Sequence, residues 1–343
     1  MKNPFISIII VNFNGKKWLE KCLTSIYSQS YINFEVIFVD NGSNDGSIEF
    51  VKNNFPKTLI IENKTNLGFA EGNNTGCKKA KGEYILLINN DTYAEKNFIK
   101  NFIEAFNKIP NLACAQSKIV LMGNPEKLDM VGAYWTDLAF LYYYGYGKNA
   151  NSSKYNKPMP FFSNKGASML IKKEVIDKIG LFDEDFINYY EETDFCHRAW
   201  IAGYECWYWP KAILFHATGG TSKMFDNSYI QYHNFKNKLD SFLKNFEFKS
   251  LVTIIPIYLI INFFLSMFWL FQGKYKHFLA LYKAIYWDIK NTKKIFMKRK
   301  AIQAFRKKSD YEISKKTKVN PKFNYYLHLL TGKIENYSEK DEK

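Results

Sequence analysis

The sequence lacks the two glycine-rich signatures that most often cradle phosphates. Neither a G-x-G-x-x-G run nor a G-x-x-x-x-G-K-[S/T] run follows any of its apolar segments. The usual dinucleotide and ATP cradles are therefore excluded. A phosphate-bearing ligand has to be held in another way.

Cysteines are few and form no C-x-x-C pair. Their positions inside periodic segments argue against a disulfide framework or a zinc site, and predict small buried residues in a reducing compartment. The apolar run at 6–11 is too short for a signal peptide and is broken by Asn12 and Asn14. The cysteines are Cys22, Cys77, Cys114, Cys196 and Cys206.

Acidic residues are scarce near the C-terminal end. Of the formal net charge of +15, residues 273–343 carry +12, from 19 Lys and Arg against 7 Asp and Glu, and residues 1–250 carry +3. Basicity confined to the tail favours an anionic membrane surface, and not nucleic acid, as a partner. The alternative is a solvated basic tail in a Lys- and Asn-rich chain.

Short apolar runs alternate with helical periodicity in the first 121 residues. This alternation predicts an α/β fold whose mostly parallel, Rossmann-like mixed sheet is flanked by helices. The run Tyr84–Thr92, YILLINNDT, ends abruptly in amides, a carboxylate and a hydroxyl. A buried strand that delivers Asp91 to the carboxyl edge of the sheet predicts a metal and nucleotide-sugar site there.

Residues 122–228 contain a second group of predicted elements. Tyr134–Gly147 holds six Tyr or Trp in fourteen residues and is expected to form an irregular lid or groove wall. ECWYWP is predicted to be a strand stopped by Pro210, and AILFHATGGT another strand that ends in His216 and the pair Gly219 and Gly220.

The remaining residues, 229–343, are predicted to form a helical, basic, membrane-associating region beyond a catalytic domain at 1–228. A basic helix at Tyr229–Phe246 is expected to leave the domain. Leu251–Gln272 contains 22 residues without a charge, about 33 Å as a helix, which is long enough to span a bilayer.

An apolar stripe opposite lysines follows at 275–290, as in a helix that lies on a membrane. A single crossing would put the basic tail on the opposite side from the catalytic domain, against the positive-inside tendency. We therefore favour a re-entrant or in-plane segment over a true span. A buried core helix is the third alternative.

The order of motifs along residues 5–220 resembles the inverting glycosyltransferases of family 2, which have the GT-A nucleotide-diphosphosugar transferase fold. The closest subgroup in appearance contains rhamnosyltransferases of surface-polysaccharide assembly. Each motif alone is weak, but the set is specific. The motifs are SIIIVNFN, VDNGSNDGS, NLGFAEGNNTG, LLINNDT, KGASMLI, EETDFCHRAWIAGY and FHATGG.

The resemblance implies a divalent cation, Mn²⁺ or Mg²⁺, at the donor diphosphate. Asp91 matches the last position of the family's Asp-x-Asp motif, whereas Asn89 replaces the first aspartate. His216 is similar to the histidine that completes the metal or diphosphate site. A structural hydrogen bond is the alternative role for this histidine.

The resemblance also implies a catalytic base at the start of the acidic helix. Glu192 matches the family's base, although Asp is commoner there, and Glu191 is the second candidate. Asp194 is the third, but it is also spaced to pair with Arg198 on the same helix face. The residues expected to bind the nucleotide and diphosphate are Val11, Phe13, Asp40, Asn41, Asn73, Asn74 and Asn90.

The leading interpretation is the metal-dependent transfer of one sugar from a nucleotide diphosphosugar to a lipid-linked or membrane-proximal glycan, on the cytoplasmic side of the cell membrane. Processive synthesis is disfavoured because no Q-x-x-R-W motif follows the acidic helix. A catalytically silent carbohydrate-binding scaffold is one alternative. A nucleotidyltransferase is another, although the first strand lacks the Gly-rich, Arg- or Lys-bearing loop expected after it.

Overall fold

The computed structural model describes residues 3–218 and 226–339, so the predicted pair Gly219 and Gly220 lies outside the described residues. The strands are β1 Ile6–Asn12, β2 Phe34–Asp40, β3 Leu59–Glu62, β4 Tyr84–Asn89, β5 Thr92–Ala94, β6 Leu112–Leu121, β7 Asn124–Met130, β8 Gly132–Trp135, β9 Leu141–Tyr144, β10 Met159–Pro160, β11 Ser168–Lys172 and β12 Glu205–His216.

Helices connect these strands and make up most of the C-terminal third. They are α1 Lys16–Tyr27, α2 Ser47–Asn54, α3 Gly68–Lys79, α4 Phe98–Lys108, α5 Lys173–Ile179, α6 Glu191–Ile201, α7 Asn227–Asn245, α8 Phe248–Phe271, α9 Tyr275–Lys290, α10 Thr292–Ala304, α11 Asp310–Thr317 and α12 Phe323–Thr331.

The central sheet has the order β3-β2-β1-β4-β11-β6-β12-β10. The pairs β3-β2, β2-β1, β1-β4 and β6-β12 are parallel, and β11 lies antiparallel between β4 and β6. The predicted mostly parallel mixed α/β sheet is confirmed. The carboxyl ends of β1, β2 and β4 consequently meet at one edge of the sheet.

Both faces of the sheet are covered, which explains why its strands read as continuous apolar runs. Ile8 and Ile10 pack with Leu23 of α1 on one face. Ile9 points the other way and packs with Ala70 of α3. Alternate residues of one strand thus reach two separate cores.

Strand β12 corrects one prediction, because Pro210 does not end it. The strand is continuous, and its register against β6 shifts between Trp209 and Ile213, around the proline. A bulge tolerates a residue that has no N–H to donate. The longer strand pairs His216 with Thr92 of β5. Thr92 is the residue that directly follows Asp91.

The tyrosine-rich segment Tyr134–Gly147 is largely regular, so the prediction of an irregular segment was wrong, although its Tyr146 lines a pocket wall. It contains β8 and β9, which form an antiparallel hairpin. The ring of Tyr142 contacts those of Tyr325 and Tyr337 near the C-terminal end. The Tyr325 hydroxyl donates to the Leu141 carbonyl at 2.9 Å.

Helix α7 does not leave the domain, which corrects a second prediction. Asn237 donates to the carbonyls of Asn188 and Tyr189 at 2.8 and 2.6 Å. Asn245 donates to Asp194 of α6 at 2.9 Å. The C-terminal helices are therefore packed against the acidic helix.

Part of the basic tail is paired with acids of the catalytic domain. Lys294 lies 2.8 Å from Asp185, and Lys298 lies 2.7 Å from the other oxygen of the same carboxylate. Lys298 also pairs with Asp183. These contacts fasten α10 to the loop before α6, so these two lysines are not free to face a membrane.

The five cysteines are free thiols, and four of them are buried. The sulfur atoms of Cys114, Cys196 and Cys206 lie within 4.8 Å of one another in the core. Two strands and one helix supply them, so their spacing in sequence does not reveal the cluster.

Candidate active site

A pocket of about 500 Å³ opens at the sheet edge where β1, β4 and β12 end. The loop before α6 and the start of α6 form another part of its wall. Its lining residues are Val11, Phe13, Asn41, Asn66, Gly68, Phe69, Asn89, Asn90, Asp91, Leu121, Asp129, Tyr146, Lys165, Gly166, Ala167, Asn188, Tyr189, Glu191, Glu192, His216 and Thr218.

The turn after β4 is held against the end of β1. Asn90 donates its side-chain N–H to Asn12 Oδ1 at 2.6 Å, in a buried contact. A Cβ at Gly15 would stand 2.1 Å from Asn90 Nδ2. Gly15 therefore permits the close approach that fixes this turn and, with it, the position of Asp91.

His216 bridges two buried carboxylates. Its Nε2 lies 3.2 Å from Asp91 Oδ1, and its Nδ1 lies 2.7 Å from Asp129 Oδ2. Lys165 approaches both oxygens of Asp129, at 2.6 and 2.7 Å. Asp91 and His216, predicted together, are thus in contact, and the sequence reasoning missed Asp129 and Lys165.

Charges around His216 control its ionisation and that of Asp129. Burial opposes ionisation of Asp129, but Lys165 and His216 outweigh it and hold the pKa of this carboxyl well below its usual range. Burial lowers the pKa of His216, yet hydrogen bonds to Asp129 and Asp91 raise it above the usual value. The three groups form one electrostatic unit.

The residues at this end of the pocket fit a divalent cation. Asp91 offers a hard oxygen ligand and His216 Nε2 a nitrogen ligand, the donor types that Mn²⁺ accepts. Asp129 contacts the other ring nitrogen of His216, as carboxylates that orient metal-bound histidines do. Asn89 also lines the pocket, in place of a second aspartate.

The turn that precedes α6 has an uncommon backbone conformation. Tyr189 and Tyr190 both have positive φ, 71° and 72°. Non-glycine residues rarely adopt this region, and two in a row mark a constrained segment of the kind found at functional sites. The Asn237 contacts to this turn hold it and aim the first residues of α6 into the pocket.

Glu191 and Glu192 both line the pocket but differ in their surroundings. Glu191 is buried and its Oε2 has no hydrogen-bond partner among the described residues. Burial, together with the neighbouring charge of Glu192, raises the pKa of Glu191 well above its usual value.

Glu192 is the better placed of the two to carry a negative charge. Burial raises its pKa as well, but its own backbone N–H, that of Gly166 and the charge of Lys165 favour the ionised form. The pKa of Glu191 is thus raised further than that of Glu192, and the groups that offset burial lie around Glu192.

Asp194, the third predicted catalytic candidate, does not line the pocket. It is fully buried and accepts from Arg198 Nε at 2.8 Å and from Asn245 at 2.9 Å. Burial opposes its ionisation, but Lys244 and Arg198 outweigh this and lower its pKa. The geometry makes Asp194 a structural link between α6 and α7.

Three predicted nucleotide-binding residues line the pocket from β1 and the β2 loop: Val11, Phe13 and Asn41. Asn41 is buried, donates to the Gly68 carbonyl at 2.9 Å and accepts from Asn63 at 2.8 Å. This network joins the loops after β2 and β3 on the side of the pocket formed by β1.

Of the other residues predicted to bind the nucleotide, Asn90 lines the pocket, whereas Asp40, Asn73 and Asn74 do not. Asp40 accepts from Asn12 at 2.9 Å and from the Ser43 backbone at 2.7 Å. Asn73 donates to its own helix. Asn74 donates to the Phe182 carbonyl and accepts from its N–H. These side chains position the surrounding loops.

Comparison with known proteins identifies the family. The family model described as Glycosyl transferase family 2 matches residues 7–179, half of the 343 residues. The chain belongs to glycosyltransferase family 2. It is therefore a glycosyltransferase, which agrees with the resemblance of its motif order.

Curated relatives include the Methanococcus voltae dolichyl N-acetyl-alpha-D-glucosaminyl phosphate 3-beta-D-2,3-diacetamido-2,3-dideoxy-beta-D-glucuronosyltransferase. Our chain is 28% identical to this relative over 242 residues, which cover 66% of our chain and 71% of the relative. Our chain is also 36% identical to glycosyltransferase GlyG of Streptococcus pneumoniae over 107 residues. These cover 30% of our chain and 35% of GlyG. Against GlyG, the chain spans about a third of the relative's length.

Solved structures confirm the GT-A fold. GalNAc-T7 with UDP, GalNAc and Mn²⁺ matches with a TM-score of 0.56 at 17% identity, covering 70% of this glycosyltransferase and 48% of that chain. The mannosyltransferase PcManGT from Pyrobaculum calidifontis, in complex with GDP-Man and Mn²⁺, matches with a TM-score of 0.53 at 16% identity. The match covers 97% of our chain and 88% of PcManGT.

Proposed function

We propose that the chain is an inverting glycosyltransferase that moves one sugar from a nucleotide diphosphosugar to a lipid-linked or membrane-proximal glycan. One observation carries the proposal: Asp91 and His216 line the same pocket as Glu191 and Glu192. A diphosphate leaving group and an acceptor hydroxyl require these two kinds of side chain in one place.

In this mechanism Glu192 takes the proton of the acceptor hydroxyl while its oxygen attacks the anomeric carbon and the bond to the diphosphate breaks. Asp91 and His216 would hold Mn²⁺ or Mg²⁺, which when bound neutralises the charge of the diphosphate. Asp129 orients His216, and Lys165 adds a positive charge beside Glu192.

The names of the relatives support the donor and acceptor classes. The Methanococcus voltae enzyme is named for transfer to a dolichyl-phosphate-linked sugar, which supports a lipid-linked acceptor here. PcManGT and GalNAc-T7 are solved with GDP-Man or UDP and with Mn²⁺. We include dTDP-rhamnose and UDP-sugars among the candidate donors, within surface-polysaccharide or glycoprotein glycan assembly.

The surface of α8 supports membrane association. In its second half the polar side chains of Asn262 and Ser266 are buried, while Phe264, Phe268 and Phe271 are 67%, 57% and 89% exposed. A soluble helix has the reverse polarity. So large an exposed apolar face is typical of a membrane or protein contact.

Contacts on either side of α8 support an in-plane or re-entrant segment over a true span. Before α8, Asn245 contacts α6, and after it Arg299 donates to the carbonyls of Leu243 and Phe246 at 2.7 Å. A single crossing would put about 30 Å of hydrocarbon between these partners. We place the enzyme on the cytoplasmic side of the membrane.

The proposal is tested by incubating the purified full chain with a panel of UDP-, GDP- and dTDP-sugars, with and without Mn²⁺ or Mg²⁺. We expect cation-dependent release of nucleoside diphosphate from at least one donor. Release should fall in Glu192→Gln and persist in Glu20→Gln, an exposed glutamate on α1. Absence of release from every donor would leave a silent carbohydrate-binding protein as the better interpretation.

A further inference from the structure

A second cavity, of about 730 Å³, lies between the start of α7 and the length of α9. We call it the α7–α9 groove and define it by Tyr229 and Tyr232 on α7 and by Lys276, Lys283 and Lys290 on α9. Its volume is within the roughly 300–1,000 Å³ of small-molecule sites. The described residues that line this groove are all different from those that line the active-site pocket.

The three lysines of the groove are seven residues apart along α9, so they lie along one side of the helix. Within residues 3–218 and 226–339, none of their ammonium groups takes part in an ion pair or a hydrogen bond, and all three side chains are exposed. Lys294 and Lys298, on the next helix, are both paired with Asp185. The lysines of the groove thus keep their charge, whereas these two lysines of α10 are neutralised by acids of the catalytic domain.

One acid, Asp226, also lines the groove. Its carboxylate accepts from the Ser228 backbone N–H at 2.7 Å and caps the first turn of α7. Three lysines therefore face a single carboxylate that is already engaged, and the groove favours an anion. Lysine binds phosphate as a point charge.

Aromatic and apolar side chains complete the wall of the groove. Trp287 and Tyr286 lie beside Tyr232, and Leu279 borders them. Leu279 and Tyr286 are 48% and 65% exposed, on the helix that packs against α8 through the contact of Ser266 with Tyr282. A ligand that occupies the groove can therefore pass from the lysines directly onto the lipid-facing surface.

The other end of the groove lies near the active site. Tyr229 lies eight residues before Asn237 on α7, and Asn237 donates to the carbonyls of Asn188 and Tyr189 at 2.8 and 2.6 Å. Tyr189 lines the active-site pocket, and Tyr229 lines the groove. The two cavities thus approach each other beside the start of the acidic helix.

We propose that the α7–α9 groove binds the phosphate and the first isoprenoid units of a polyprenyl-phosphate-linked acceptor, and so presents the acceptor sugar to Glu192. The inference rests on the proposed function, which supplies the lipid-linked acceptor. The lysines pair with the phosphate, and the aromatic wall contacts the isoprenoid chain. Bulk anionic phospholipid is the competing occupant.

The test uses the full chain and vesicles of phosphatidylcholine, alone, with polyprenyl monophosphate, or with phosphatidylglycerol of equal total charge. We compare the wild type with a groove variant, Lys276→Gln, Lys283→Gln and Lys290→Gln. A matched variant removes three exposed lysines elsewhere in the tail, Lys293→Gln, Lys300→Gln and Lys333→Gln.

The wild type should bind polyprenyl-phosphate vesicles better than phosphatidylglycerol vesicles, because a shaped groove distinguishes the two lipids. The affinity of the groove variant for polyprenyl-phosphate vesicles should be at least about tenfold lower than that of the wild type. The affinity of the matched variant should fall much less. Equal losses in both variants, or equal binding to both anionic lipids, would show a non-specific charge effect and overturn the proposal.

The vesicle assay measures lipid binding and requires no catalytic turnover. A negative result in this assay can therefore be distinguished from a failure of the proposed function. Release of nucleoside diphosphate by the wild type tests the function itself. If transfer occurs, the groove variant should raise KM for a polyprenyl-phosphate-linked acceptor by about tenfold. An unchanged KM for that acceptor would also overturn the groove assignment.

Discussion

Substitution of Glu192 by Gln is the most direct perturbation of the proposed chemistry. The amide keeps the size of the side chain but cannot accept the proton of the acceptor hydroxyl. A positioned general base contributes about 10² to 10⁴ in rate, which is about 3 to 5 kcal/mol of barrier. We expect kcat for transfer to fall by this factor while KM for the donor changes little.

The neighbouring glutamate supplies a matched control. Burial and the charge of Glu192 raise the pKa of Glu191 well above its usual value and so favour its neutral carboxyl, which Glu191→Gln replaces by a neutral amide of the same size. We expect it to retain kcat within a fewfold of the wild type. Its retained activity would show that the loss in Glu192→Gln does not come from damage to the turn before α6.

The pH profile gives a second, independent measurement. Because burial raises the pKa of Glu192 above 4.5 and the base acts only when ionised, kcat/KM should decline with acidification at a pH above 4.5. Glu192→Gln should remove this acid limb. A retained limb and rate in Glu192→Gln, with both lost in Glu191→Gln, would refute the assignment of the base.

The other predictions concern the cation, the fold and the membrane. Asp91→Ala should abolish the Mn²⁺ dependence of UDP binding in calorimetry, and unchanged dependence would remove Asp91 from the site. Asp129→Asn should weaken Mn²⁺ binding by about 10- to 100-fold, because a neutral amide replaces the carboxylate that orients His216. Asp194→Ala should lower the free energy of unfolding by about 3 to 5 kcal/mol, since it removes the carboxylate that compensates the buried charges of Arg198 and Lys244; a loss below 1 kcal/mol would contradict the structural role. Phe264→Ser with Phe268→Ser should weaken sedimentation with vesicles by at least about tenfold, and unaltered partitioning would contradict a lipid-facing α8.

Local patterns made the sheet and the first half of the site predictable. The run that becomes β4 is apolar because helices cover both faces of the sheet, and the polar residues after it mark the edge at which the strand ends. Asp91 and His216 could be linked in advance because the motif order resembles a known family. Their contact depends on the pairing of β12 with β5.

Other features of the site arise from contacts between distant segments. Asp129 lies in the polar run NPEKLDM, which gives no periodic signal, and only the folded chain brings it to His216, 87 residues away. Likewise, nothing near Asn237 in the sequence indicates that it holds the turn at Tyr189. Helical periodicity predicted α7 but carried no information about what the helix contacts.

The hairpin of β8 and β9 makes the order of synthesis important. The Gly145 N–H donates to Glu339, which is 194 residues further along the chain, at 2.7 Å. During translation the tyrosine face of the hairpin stays uncovered until residues 325–339 emerge, whereas α8 is complete at Phe271. Contacts of such long range form slowly. The nascent chain thus exposes the apolar surface of α8 before the hairpin in the middle of the enzyme can be covered.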